Sequence, residues 1–79
     1  MSVALVVDDE PAILRMLVAM LKSLDYETIS APDAERALGC LDVVHPDVVI
    51  TDVRLPGMDG VELARRIKSD ERTKDVPVS

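Results

Sequence analysis

Twice in this chain an unbroken aliphatic run ends on carboxylates. Val3-Ala4-Leu5-Val6-Val7 leads into Asp8-Asp9, and Asp47-Val48-Val49-Ile50-Thr51-Asp52-Val53 repeats the pattern. A strand that is apolar without polar alternation is one covered on both faces, the usual condition of parallel sheets packed between helices. Those two runs therefore predict buried parallel strands over 3–7 and 47–53, each delivering acidic side chains at its carboxyl end.

The segments between them supply the helices. After Glu10-Pro11, Ile13, Leu14, Leu17, Val18, Leu21 and Leu24 recur at three- and four-residue spacing, and Pro11 suits a first helical turn. That spacing predicts an amphipathic helix ending near Asp25, with Met16 and Met20 as core or core-edge fillers. Tyr26 to Ser30 reads as a short second strand. Pro32-Asp33 opens a helix whose apolar face is Ala34, Ala37, Leu38 and Leu41. Cys40 lies on that helix and reads as plain packing, and His45-Pro46 ends the pattern.

Leu55-Pro56-Gly57-Met58-Asp59-Gly60 is loop chemistry, and Asp59 followed by Glu62 resembles a capping box before a helix burying Leu63, Ala64 and Ile67. Asp70 to Asp75 reads as a polar linker, and Val76-Pro77-Val78 as the opening of a fourth strand. Alternating strands and helices imply an α/β fold, a doubly wound parallel sheet with helices on both faces. In such sheets ligands sit outside the carboxyl ends of the strands, where Asp8, Asp9 and Asp52 fall.

Composition narrows the function classes. A chain of 79 residues, 48% apolar and 30% charged with Tyr26 as its one aromatic, fits a single small globular unit with an aliphatic core. The net charge of −6 and the lack of any Lys/Arg run disfavour nucleic-acid binding. Arg65, Arg66 and Lys68 read as a solvated helix face, and His45 as a solvated loop residue. The first residues lack a basic leader and reach carboxylates too soon for a signal peptide or membrane span, so the expected location is cytoplasmic. One cysteine permits no internal disulfide. Glycines only at 39, 57 and 60 allow neither a dinucleotide-binding motif nor a P-loop.

Three carboxylates at one sheet edge repel one another unless they are protonated or share a cation, and Mg²⁺, with its preference for oxygen ligands, suits such a set. Asp52 could then be a nucleophile toward a phosphoryl group. Spacing alone leaves a second account equally open, in which Asp8, Asp9 and Glu10 merely complement the positive end of the first helix.

The combination of Val6-Val7-Asp8-Asp9-Glu10-Pro11, the stretch from Asp47 to Gly60, and Val76-Pro77-Val78 resembles the receiver-domain family of two-component response regulators. The resemblance implies a flavodoxin-like (βα)₅ receiver fold. Over residues 1–79 the expectation is an incomplete receiver domain, three strand-helix units and the start of a fourth strand. The resemblance further implies a non-enzymatic module that accepts a phosphoryl group from a sensor histidine kinase in a phosphorelay. It implies Asp52 as the phosphoacceptor, Asp9 as a direct Mg²⁺ ligand, Asp8 as a ligand through water, and Arg54 as a ligand through its backbone carbonyl.

The family's Ser/Thr at the end of the fourth strand and Lys at the end of the fifth have no counterpart here, since Ser79 follows Pro77 too closely to be that hydroxyl. An uncovered sheet edge with apolar faces predicts self-association or domain swapping. Two other functions compete. A Mg²⁺-dependent phosphohydrolase with an aspartyl-phosphate intermediate generally has an Asp where this chain has Arg54. A receiver-like interaction module would keep the fold without phosphorylation.

Overall fold

The computed structural model describes residues 1–79. In chain order it comprises β1 (Ser2–Val7), α1 (Pro11–Ser23), β2 (Tyr26–Ala31), α2 (Ala34–Leu41), β3 (Val48–Thr51) and α3 (Gly60–Ser69). The strands form one parallel sheet in the order β2-β1-β3. The expected fourth strand is present as a short stub. Val78 bridges Val49 in parallel, the Val49 amide donates to Pro77 O, and Ser79 exchanges bonds with Val49 O and the Thr51 amide, each at 2.9 Å.

β1 is central and buried on both faces, as its uninterrupted apolar run requires. Leu5 and Val7 point into one core with Val49, with Ala34, Ala37 and Leu41 of α2, and with Leu63 and Ile67 of α3. Ala4 and Val6 point the other way, toward Leu21 of α1 and the half-buried Leu14 and Leu17. No helix is long and apolar enough to cross a membrane.

Several expected boundaries shift for identifiable reasons. Regular β3 begins at Val48 because Asp47 pairs with Val3 through its side chain as well as its backbone. The Asp47 amide donates to Val3 O and the Val3 amide to Asp47 Oδ2, both at 2.7 Å. β3 ends at Thr51 because its neighbour β1 ends at Val7, leaving Val53 exposed. α1 ends at Ser23, where Leu24 and Asp25 donate back to Leu21 O and Lys22 O. Asp25 then turns the chain with a φ of 66°, a left-handed conformation that aspartate tolerates.

Met16 and Met20, expected as core or core-edge fillers, are exposed, 51% and 54% accessible, and Leu24 is 66% accessible rather than part of the buried face. A single helix lies on that side of the sheet, so nothing reaches around its flank.

The helix caps follow the acidic residues. Asp33 Oδ1 accepts the Arg36 amide at 2.8 Å and Asp59 Oδ1 the Glu62 amide at 2.9 Å. The second cap is one-sided, because the Glu62 carboxylate turns to Arg65 and Arg66 at 3.2 and 3.3 Å instead of reaching back. Residues 70–75 are not a free linker. Thr73 is buried with its hydroxyl on Ile67 O at 2.7 Å, and Arg72 joins Asp70 at 3.0 Å to Asp42, beyond the end of α2, at 3.3 Å.

Candidate functional site

Register brings the acidic residues together. Val7 of β1 and Thr51 of β3 are direct partners in the ladder, so the residues that follow, Asp8 and Asp52, leave adjacent strands side by side. The Asp8 amide still donates to Ala31 O at 3.2 Å and the Asp52 amide to Val7 O at 3.0 Å, which holds both backbones to the sheet while their side chains stand past its end.

Asp8, only 7% accessible, also turns the chain toward α1 by accepting the Glu10 amide on Oδ1 at 2.9 Å. That turn precedes α1, whose N-cap residue is Glu10 and whose first turn holds no acidic residue. Glu10 makes no side-chain cap.

One carboxylate oxygen from each of Asp8, Asp9 and Asp52 lies within 4.8 Å of the others. Asp9 and Asp52 are exposed, and none of the three is paired with Lys or Arg. A cluster of like charges without a protein counter-charge, made only of hard oxygen donors, fits a small divalent cation. Arg54 lies in the exposed loop after β3, with its amide facing Asp52 Oδ1 at 3.4 Å.

Two contributors were not evident from sequence. Gly60, the first residue of α3, packs against the backbone of Asp52, and a Cβ there would collide with Asp52 O and come within 3.0 Å of Val53 Cα. A glycine at the first helical position, directly after the capping Asp59, was the available signal that something approaches closely. Glu35 reaches the loop tip from α2, accepting the Met58 amide at 3.3 Å. Nothing in the sequence links residues so far apart.

The largest open groove, about 900 Å³, lies elsewhere, between α2 and α3. Its arginines, Arg65, Arg66 and Arg72, are already paired with Glu62, Asp42 and Asp70. The clustered carboxylates without an ion partner lie instead at the strand ends.

Residues 4–79 match the family model described as response regulator receiver domain. Among curated proteins, the phosphate regulon transcriptional regulatory protein PhoB of Pseudomonas aeruginosa is 40% identical over 74 residues, covering 94% of this chain and 32% of PhoB. The crystal structure of the N-terminal domain of a response regulator receiver protein from Methanoculleus marisnigri superposes with a TM-score of 0.92 at 42% identity, covering 96% of this chain and 62% of that one. The receiver domain of sensor histidine kinase PA1611 from Pseudomonas aeruginosa, solved with a magnesium ion coordinated in its active site cleft, gives 0.91 at 31% identity, covering 98% and 63%.

The chain thus spans about a third of PhoB and somewhat under two thirds of each solved chain. A flavodoxin-like sheet carrying its acidic residues at the strand ends, matched in sequence from residue 4 onward, makes this chain a member of the response regulator receiver domain family.

Proposed function

We propose that this chain is the phosphoacceptor module of a two-component phosphorelay, with Asp52 as the residue that takes the phosphoryl group. The observation that carries the proposal is the triad of carboxylates without a protein counter-charge at the ends of β1 and β3. The magnesium ion in the related PA1611 receiver supports reading that triad as a Mg²⁺ site. Asp8, Asp9, Asp52 and the Arg54 carbonyl would hold the ion. When bound, Mg²⁺ supplies positive charge that offsets the repulsion between an anionic phosphoryl group and a carboxylate.

The donor is a phosphohistidine of a sensor histidine kinase. An Asp52 carboxylate oxygen attacks phosphorus, the phosphorus–nitrogen bond breaks, and the imidazole leaves with the kinase, giving an acyl phosphate on Asp52. The exposure of Asp52 leaves its oxygens open to a protein-bound donor. The same reading sets the module in the cytoplasm. It makes the module a signalling partner rather than a turnover enzyme, since Arg54 stands where a phosphohydrolase would carry an acid.

The test is an amide NMR titration of the chain with Mg²⁺, followed by incubation with a small phosphoramidate donor and mass measurement, using Asp52→Asn as control. Localised Mg²⁺ shifts at residues 8, 9, 52 and 54, and a phosphoryl mass increment absent from the variant, are expected. Wild-type protein indifferent to Mg²⁺ and to the donor would overturn the proposal in favour of a receiver-like interaction module. Steady turnover of a phosphate ester would favour the phosphohydrolase.

Self-association belongs to the same proposal. Within residues 1–79 the stub at Val76–Ser79 pairs with β3 and with no other strand, so the prediction is for this 79-residue chain by itself. Sedimentation at rising concentration should show dimers or larger species, and a monomer throughout excludes them.

A further inference from the structure

Glu35 occupies the second residue of α2, a position where a glutamate ordinarily needs no account beyond a favourable interaction with the helix dipole. Here its carboxylate is engaged elsewhere. Oε2 accepts the Met58 amide at 3.3 Å and lies 3.2 Å from where a Cβ on Gly57 would stand. Gly57 has a φ of 73°, in the left-handed region that favours glycine. Glycine thus supplies both the turn and the room for the carboxylate, and the next residue supplies the donor.

The loop between Asp52 and α3 is otherwise held by hydrogen bonds to its own flanks and by apolar packing. Gly60 donates to Val53 O at 2.9 Å, Arg54 faces Asp52 Oδ1, and Leu55 and Met58 lean on the core. Glu35 makes the one hydrogen bond that reaches this loop from another part of the chain. The same loop carries Arg54 and leads into Gly60, which rests on the Asp52 backbone.

We infer that Glu35 is a positioning residue for the acidic site: by gripping the Gly57-Met58 turn from α2, it fixes the loop that carries Arg54 before a cation arrives. The inference rests on the proposed Mg²⁺ reading of Asp8, Asp9 and Asp52. A site held in its binding geometry in advance binds more tightly than one that must be ordered on binding. What the turn requires of residue 35 is a hydrogen-bond acceptor, so glutamine should replace it and alanine should not.

The experiment compares wild type, Glu35→Ala and Glu35→Gln in the whole chain. It reads the Met58 amide by chemical shift and hydrogen exchange without metal, then titrates Mg²⁺ alone. Glu35→Ala is expected to lose Met58 protection and to weaken Mg²⁺ binding by about two- to tenfold, the range set by one net hydrogen bond. Glu35→Gln should stay close to wild type in both.

Unchanged Mg²⁺ affinity or an unchanged Met58 amide in Glu35→Ala overturns the inference. So does a Glu35→Gln variant as weak as Glu35→Ala, since that assigns the effect to charge alone. Failure of the underlying site would show differently, as wild-type protein that does not bind Mg²⁺ at all.

Discussion

The two faces of the sheet are built from the same strands but closed to different degrees. On one, α2 and α3 lie side by side over Leu5, Val7 and Val49 and seal a core of eleven buried residues. On the other, α1 alone covers Ala4 and Val6, only Leu21 of that helix is buried, and Met16 and Met20 stand half exposed. The first face rests on interlocked aliphatic packing, the second on partial cover. The acidic site lies where the strands end and joins both faces, since Asp8 and Asp9 lead into α1 and the loop after Asp52 leads into α3.

The strongest attempt to break this comparison removes packing from the closed face. Leu63→Ala should cost about 2–5 kcal/mol in a urea melt, because a fully buried leucine leaves a cavity its neighbours fill only in part. A loss well under 1 kcal/mol would mean that the two faces are alike.

Next in size is Gly60→Ala. Alanine is the better helix former, yet the new Cβ would run into the Asp52 backbone. A net destabilisation of about 1–3 kcal/mol, with amide shifts concentrated at Asp52 and Val53, is expected. A stabilised protein would show that α3 does not bear on the site.

On the open face, Met20→Gln should change stability by about 0.5 kcal/mol or less and leave the fold intact. A cost like that of Leu63→Ala would show that α1 packs more deeply than its accessibility indicates.

The smallest effect concerns the polar clasp between α2 and α3. Hydrogen bonds from Arg72 hold the Asp70 carboxyl below the usual aspartate range. A carboxyl depressed in the folded state stabilises fully above its unfolded value, and that contribution fades as pH falls through the lower folded value. Arg72 is exposed and Asp70 partly so, which keeps the effect slight. The difference in melting temperature between wild type and Arg72→Ala should therefore shrink toward low pH, and a difference that grows would reverse the assignment.

Where the sequence was legible, one period or one motif carried the information. The aliphatic runs ending at Val7 and Thr51 announced β1 and β3, and the acidic residues after them announced the strand-end cluster. Met16 and Met20 misled because three- and four-residue spacing identifies a helix face without saying what covers it. Residues 70–75 misled because the burial of Thr73 depends on an Ile67 carbonyl that no local pattern reveals. Glu35 was illegible for a related reason: its partner is set by the tertiary approach of α2 to the loop, and its local role as a first-turn acid explains it without that partner.

The pairing of Val7 with Thr51 also separates two kinds of sequence change. Exchanging one aliphatic residue for another along β1 or β3 alters volume but leaves Asp8 and Asp52 on the first rung past the ladder. Deleting or inserting a single residue in either strand moves one of them by a rung and turns its side chain to the opposite face. Drift in composition is therefore tolerable in these strands and drift in length is not, so insertions in variants that keep the triad should collect in the loops away from the strand ends.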